Sequence, residues 1–175
     1  RVAPNHPLWA AASRAVRAPP RIDRDVVTPL LPLGGAGFDS EVARVYELGY
    51  RAQPRGSVSY SLTLFHHAFD RLRSVDVLPG GTGFGNSYQG RLDGVESWGQ
   101  WRFADRWRLN AGYAWQRMRL SQRAGTTPLP GGTTQLGNDP RSRLLLGLSW
   151  DVAPRMELDL NLRRIGSLPQ PAVPS

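Results

Sequence analysis

The sequence has 175 residues, enough for one domain, with 22 basic and 14 acidic side chains and a formal net charge of +8. Cysteine is absent, which excludes a disulfide framework, a thiolate zinc site and a Cys nucleophile, and no apolar run approaches the roughly 20 residues of a membrane helix. Every basic residue is Arg, scattered from Arg1 to Arg164 rather than gathered along one segment, which argues against nucleic acid as a partner.

Proline, which cannot donate to a strand ladder, leaves seven Pro-free stretches near 8–18, 42–53, 57–71, 93–104, 107–121, 143–152 and 156–165. In the first, neither alternating set is cleanly apolar. In the second, Tyr46, Leu48 and Tyr50 alternate with Glu47, Gly49 and Arg51. In the third, Val58, Tyr60, Leu62 and Leu64 alternate with Ser57, Ser59, Ser61 and Thr63, and the parity blurs through His66, His67 and Phe69. The fourth closes on Trp101 and Phe103, and the fifth sets Trp107, Leu109, Ala111, Tyr113 and Trp115 against Arg108, Asn110, Gly112, Ala114 and Gln116. Leu144, Leu146, Leu148 and Trp150 mark the sixth. Met156, Leu158, Leu160 and Leu162 mark the seventh, against Glu157, Asp159, Asn161 and Arg163. Period two in segment after segment predicts strands, not helices.

The connectors alternate in length. Short ones at 53–56, 104–106 and 152–155 suit tight hairpins, and long ones are expected at 19–41, 72–92 and 122–142. Short turns at one end and long loops at the other are the layout of an outer-membrane barrel. Predicted strands of about 10–14 residues also exceed the usual soluble length and match what a tilted strand needs to cross a bilayer. One face is apolar, with aromatics near strand ends. The other is charged, carrying Glu47, Arg51, Glu96, Arg102, Arg108, Glu157, Asp159 and Arg163, as a water-filled or plugged lumen tolerates. The predicted fold is all-β: an antiparallel up-and-down meander of about seven strands, an incomplete transmembrane β-barrel.

Several short motifs follow one another in a familiar order. Ser13-Arg14-Ala15-Val16-Arg17-Ala18-Pro19-Pro20-Arg21-Ile22-Asp23 ends a strand before a long loop, and Tyr46-Glu47-Leu48-Gly49-Tyr50-Arg51 lies in a strand. Leu64 to Ser74, Gly94-Val95-Glu96, Leu109 to Trp115, Asp139-Pro140-Arg141-Ser142-Arg143 and Leu158 to Arg163 come after. Together they resemble the barrel of TonB-dependent outer-membrane receptors, from 1 to 175 in order. His66-His67 departs from the family, which more often has Tyr-Asn there. The resemblance implies a barrel of about 22 strands with a plug, of which this chain would supply a part, lacking the plug domain, the TonB box and the final strands. It also implies outer-membrane lipid as surroundings, the TonB system as a partner through the plug, and a scarce ligand such as a ferric siderophore or cobalamin.

No catalytic, metal or cofactor site is expected. His66 and His67 are adjacent on a strand and point to opposite faces, so one metal would not take both. Gly80-Gly81-Thr82-Gly83-Phe84-Gly85 lacks the Lys-Ser/Thr and helix of a phosphate loop and reads as a flexible surface loop. Glu157 and Asp159, with Arg163 and Arg108, read as a lumenal ion-pair ladder. Ser13, Ser149 and the histidines have no triad spacing. Ligand contacts would fall in the long loops, with no residue assignable. A passive porin wall and a soluble Arg-rich β-sheet module are the alternatives.

Overall fold

A computed structural model describes residues 6–21, 24, 37–78, 81–129 and 136–169. Seven strands form one sheet: β1 (Leu8–Arg17), β2 (Glu41–Arg55), β3 (Val58–Leu78), β4 (Gly81–Ala104), β5 (Trp107–Gln122), β6 (Ser142–Ala153) and β7 (Met156–Ile165). They are hydrogen-bonded in sequence order, each antiparallel to the next, as the alternation predicts. Two-residue turns join β2 to β3 at Gly56-Ser57, β4 to β5 at Asp105-Arg106 and β6 to β7 at Pro154-Arg155. The first lies a little later than 53–56, because a bulge between Ala52 and Arg55 lets the chain pass Pro54 without a ladder N–H. Successive antiparallel strands put all three turns at one rim. No described helix is long and apolar enough to cross a membrane, which says nothing of strands.

The expected long loop at 72–92 is absent. β3 and β4 continue as a hairpin of 21- and 24-residue strands, paired up to Leu78 and Gly81, so the Gly-rich stretch from Gly81 to Gly85 is strand and not flexible loop. Two things hold it extended. The Asp76 carboxylate fills the space beside Gly85, where a Cβ would come within 2.6 Å of the carboxylate carbon. The connector leaving β5 also pairs with the hairpin: the Val77 N–H donates to Thr127 and the Leu129 N–H to Val75. β2 pairs with β3 no further than Asp70, so this segment covers an edge that would stand open.

The sheet is inside out by the standard of a water-soluble domain. Cross-strand partners share a face, so the register puts Leu48, Leu64, Val95 and Trp115 in one row, and Trp101, Leu109, Leu148 and Leu160 in another row of the same face. Leu48, Leu64, Trp101, Trp115 and Leu160 are exposed and Val95, Leu109 and Leu148 half-buried; Leu160 keeps 67% of its surface and Leu64 48%. Buried hydrophobics among the described residues are few: Phe38, Val42, Ala52 and Leu72. The opposite face carries Glu47, Arg102, Arg108, Ser149, Asp159 and Arg163, the parity expected from the sequence. At the short-turn rim Trp101, Phe103, Trp107 and Trp150 form a chain of rings with centroids 5.5, 6.1 and 4.9 Å apart. An indole or ring edge at such a boundary meets both apolar and polar surroundings.

The upper limit of the apolar band is slanted along the ladder. On β2 it ends at Tyr46, with Arg44 next on that face; on β5 it ends at Trp115, with Arg117 next; on β7 it ends at Leu162, with Arg164 next. Following the register, Arg164 is level with Leu144, Tyr113, Ser97, Leu62 and Tyr50, six residues along β2 from Arg44. Strands about 4.8 Å apart and tilted by about 40° shift the level by about 4 Å per strand, or about 20 Å over five spacings. Three two-residue steps also come to about 20 Å. The apolar limit is therefore flat when the strands tilt as barrel strands do.

Aromatic rings lie over cross-strand glycines on the charged face, Trp9 over Gly49 and Phe65 over Gly94. A Cβ on Gly94 would stand 2.6 Å from the Trp115 carbonyl oxygen, which belongs to the ladder and cannot yield as a side chain can. Gly94→Ala is expected to cost about 1–3 kcal/mol by overpacking. Gly99→Ala, whose nearest neighbours stand at 3.5 Å, should cost less. Urea-titrated refolding into lipid vesicles measures both.

Candidate functional site

The described polar side chains gather most densely at the rim opposite the short turns. β3 and β4 rise above their neighbours there, and residues 37–40 before β2 and 123–129 after β5 close on them. Asp76 accepts hydrogen bonds from the Ser74 hydroxyl at 2.7 Å and the Ser87 hydroxyl at 2.6 Å, while the Ser87 N–H donates to Ser74 Oγ at 2.9 Å. Ser74 and Ser87 are fully buried, so each hydroxyl is satisfied rather than left in a dry site.

Asn86 ties the connector before β2 to this hairpin. Its Oδ1 accepts from the Asp39 N–H at 2.7 Å, and its Nδ2 donates to the carbonyls of Asp39 and Arg71, at 3.0 and 2.7 Å. Arg71 sits in the left-handed region, at φ 58°, where a bulge interrupts the β3–β4 ladder. Its guanidinium reaches Asp39 at 3.3 Å and Asp70 at 3.9 Å. Arg123 joins Asp70 at 3.6 Å and donates to the Asn86 carbonyl, so the connector after β5 is fastened to the same knot. Arg73 stacks on Phe84, 3.9 Å from the ring centre, its N–H donating to Glu41, which also pairs with Arg17. Charge is balanced locally and the backbone is pinned by side chains, which gives a shaped rim from which the connectors leave.

Asn86→Ala removes three hydrogen bonds to backbone groups, expected to cost about 1–3 kcal/mol of local stability. Hydrogen exchange should quicken at Asp39 and leave β6 and β7 unchanged; equal exchange in both proteins would show that Asn86 does not hold the connector.

Elsewhere the expected residues fall into place with one correction. His66 and His67 do face opposite ways: His66 Nδ1 meets Asp93 at 2.6 Å, while His67 lies between Phe65 and Phe69. No group of three metal-ligating side chains occurs among the described residues. On the charged face Arg108 joins Glu157, and Asp151 at 3.2 Å. Asp159 instead accepts from Ser149, and Arg163 takes no part in the ladder expected of it, because the register sets Arg163 opposite Leu145. Across four strands Gln100, Asn110, Gly147 and Asn161 form one polar row. Of the long-loop segments, 22–23, 25–36, 79–80 and 130–135 lie outside the described residues. Sequence reasoning missed Ser74, Asp76, Asn86 and Ser87; the alternation of Ser74 and Asp76 with Val75 and Val77 was the available signal.

The family model for TonB-dependent receptor-like β-barrels matches residues 1–170. Among solved structures, the ferric yersiniabactin uptake receptor FyuA from Yersinia pestis superimposes with a TM-score of 0.69 at 16% identity, over 94% of this chain and 24% of its own. The siderophore receptor PirA from Pseudomonas aeruginosa gives 0.68 at 17% identity, over 92% and 31%. The alcaligin outer-membrane receptor FauA from Bordetella pertussis gives 0.62 at 16%, over 95% and 28%. The chain thus spans 24% to 31% of these receptors' length. No curated protein matches it.

Proposed function

Since this chain belongs to the TonB-dependent receptor β-barrel family, we propose that it forms wall and extracellular loops in a receptor that imports a scarce ligand across the outer membrane with energy from the TonB system. The family is one of Gram-negative outer-membrane receptors and transporters, not of enzymes. Residues 1–175 are part of its barrel domain, and the ligand is a ferric siderophore or a compound of cobalamin kind. The observation that carries the reading is the pairing of an exposed apolar face with a side-chain-pinned rim above it. Lipid covers such a face, and fixed loops above a polar lumen face can hold a ligand at the mouth. That several structural neighbours are siderophore receptors, one of them for uptake of ferric yersiniabactin, favours iron as cargo.

The test is uptake of radiolabelled ferric siderophores and labelled cyanocobalamin by a receptor-deficient strain expressing the full-length protein. Accumulation is expected for one of them and should vanish in the same strain lacking TonB. Uptake that persists without TonB would identify a passive pore instead.

A further inference from the structure

Asp39, Asn86, Arg123, Asp70 and Arg71 close a ring of contacts drawn from four separate stretches of chain. Asn86 holds the N–H and carbonyl of Asp39 and offers its own carbonyl to Arg123 at 3.1 Å. Arg123 meets Asp70 at 3.6 Å, and Arg71 runs from Asp70, at 3.9 Å, back to Asp39, at 3.3 Å. Among the described residues, no hydrogen bond or ion pair links 37–40 directly to 123–129, so what joins the two connectors is the ring and the hairpin it sits on. Each connector also has its own hold on that hairpin. Phe38 packs on Phe84 with ring centres 6.4 Å apart, and the Arg123 and Leu129 N–H groups donate to the carbonyls of Ser87 and Val75 at 2.8 and 2.7 Å. Three of the four buried hydrophobics adjoin the ring: Phe38 beside Asp39, Leu72 beside Arg71, and Val42 across the ladder from Asp70. The rim is packed as a water-soluble unit is, on a wall that is not.

We infer that the two connectors and the projecting part of the β3–β4 hairpin open and close as one cooperative unit, apart from the wall, with this ring as the clasp that couples them. Contacts in a ring constrain one another. Loss of the Arg123 contact leaves Asp70 free to draw the Arg71 guanidinium away from Asp39, and it untethers the stretch of β4 that carries Asn86. The paired side chains are 31% to 65% exposed, so each pair contributes modestly and salt weakens it. Coupling of this kind is reciprocal: whatever steadies one connector steadies the other by the same factor. Joined to the proposed function, the rim is a two-sided grip, in which a ligand engaging either connector also orders its counterpart. That use rests on the proposed function; the coupling rests on the rim alone, so a failure of uptake would leave it standing.

The experiment is hydrogen exchange of the full-length protein in detergent micelles, with reclosing faster than exchange, read at two amides. One is the Asp39 N–H, held by Asn86 Oδ1; the other is the Leu129 N–H, held by the Val75 carbonyl. Arg123→Gln removes nothing that Asp39 itself touches, yet it is expected to quicken both amides by the same factor, about threefold. Asp39→Ala should do the same, Leu129 included. Arg123→Lys, which keeps the charge, should recover part of the protection. Raising sodium chloride from about 0.1 M to about 1 M should quicken both amides in the wild type and less so in Arg123→Gln. Amides of β6 and β7 should keep their wild-type rates throughout. Quickening of Leu129 alone in Arg123→Gln, or of Asp39 alone in Asp39→Ala, would show two independent connectors and overturn the inference. Unchanged rates at both amides would remove the ring as the clasp, and equal quickening in β6 and β7 would show that the rim has no opening of its own.

Discussion

Leu160→Arg is expected to lose about 2–4 kcal/mol of stability in a bilayer, whereas Asn161→Arg, one residue away, should lose far less. Leu160 is the middle of three leucines on β7, between Leu158 and Leu162 on the apolar face and opposite Leu148, which puts it inside the apolar band of its strand. A guanidinium there leaves water for hydrocarbon with no carboxylate in its row. Asn161 shares the opposite face with Gly147 and Asn110, among polar side chains that accept a charge. The measurement is urea-titrated refolding of both variants into lipid vesicles. Equal losses would mean the two faces are assigned wrongly, since a slip of one residue exchanges them throughout the sheet.

The second large effect concerns the edges. β1 and β7, each 10 residues long and exposed throughout, are the outermost strands of the sheet. A free edge of that length leaves about five N–H and five C=O groups unpaired, each costing several kcal/mol in hydrocarbon. Residues 1–175 expressed alone and taken into detergent should therefore self-associate through these edges. Sedimentation is expected to show dimers and larger species, and Pro substitutions at alternate β7 positions should reduce them. A monodisperse, protease-resistant monomer would contradict this.

Strand identity, order and facing were legible because they rest on period two, which a single chain displays directly. Leu158, Leu160 and Leu162 or Trp107, Leu109 and Tyr113 need no partner to declare their face. The projecting part of β3 and β4 was not legible, because its extended backbone depends on distant groups. Gly83 and Gly85 have weak strand preference, and what holds them is the Asp76 carboxylate and the segment around Thr127. Asn86 likewise gave no signal, since its three backbone partners lie in Asp39 and Arg71. The ion-pair ladder was half right for the same reason, as the partners of Arg163 and Asp159 depend on pairing that composition does not contain.

The ring of Phe65 occupying the side-chain space of Gly94 has a consequence for descent. Two positions 29 apart in the chain share one volume, so neither can drift alone. A lineage that acquires a side chain at 94 must first or simultaneously shrink 65 and also shift the Trp115 carbonyl, and one that loses the ring at 65 removes the first of these two obstacles. Among relatives of this sequence, the two sites should therefore change together, large with small, and an aromatic 65 beside a branched 94 should be missing. Trp9 and Gly49 form the same kind of bonded pair at the first strand. Covariation at both places would be the historical trace of a space that only one of two residues can fill.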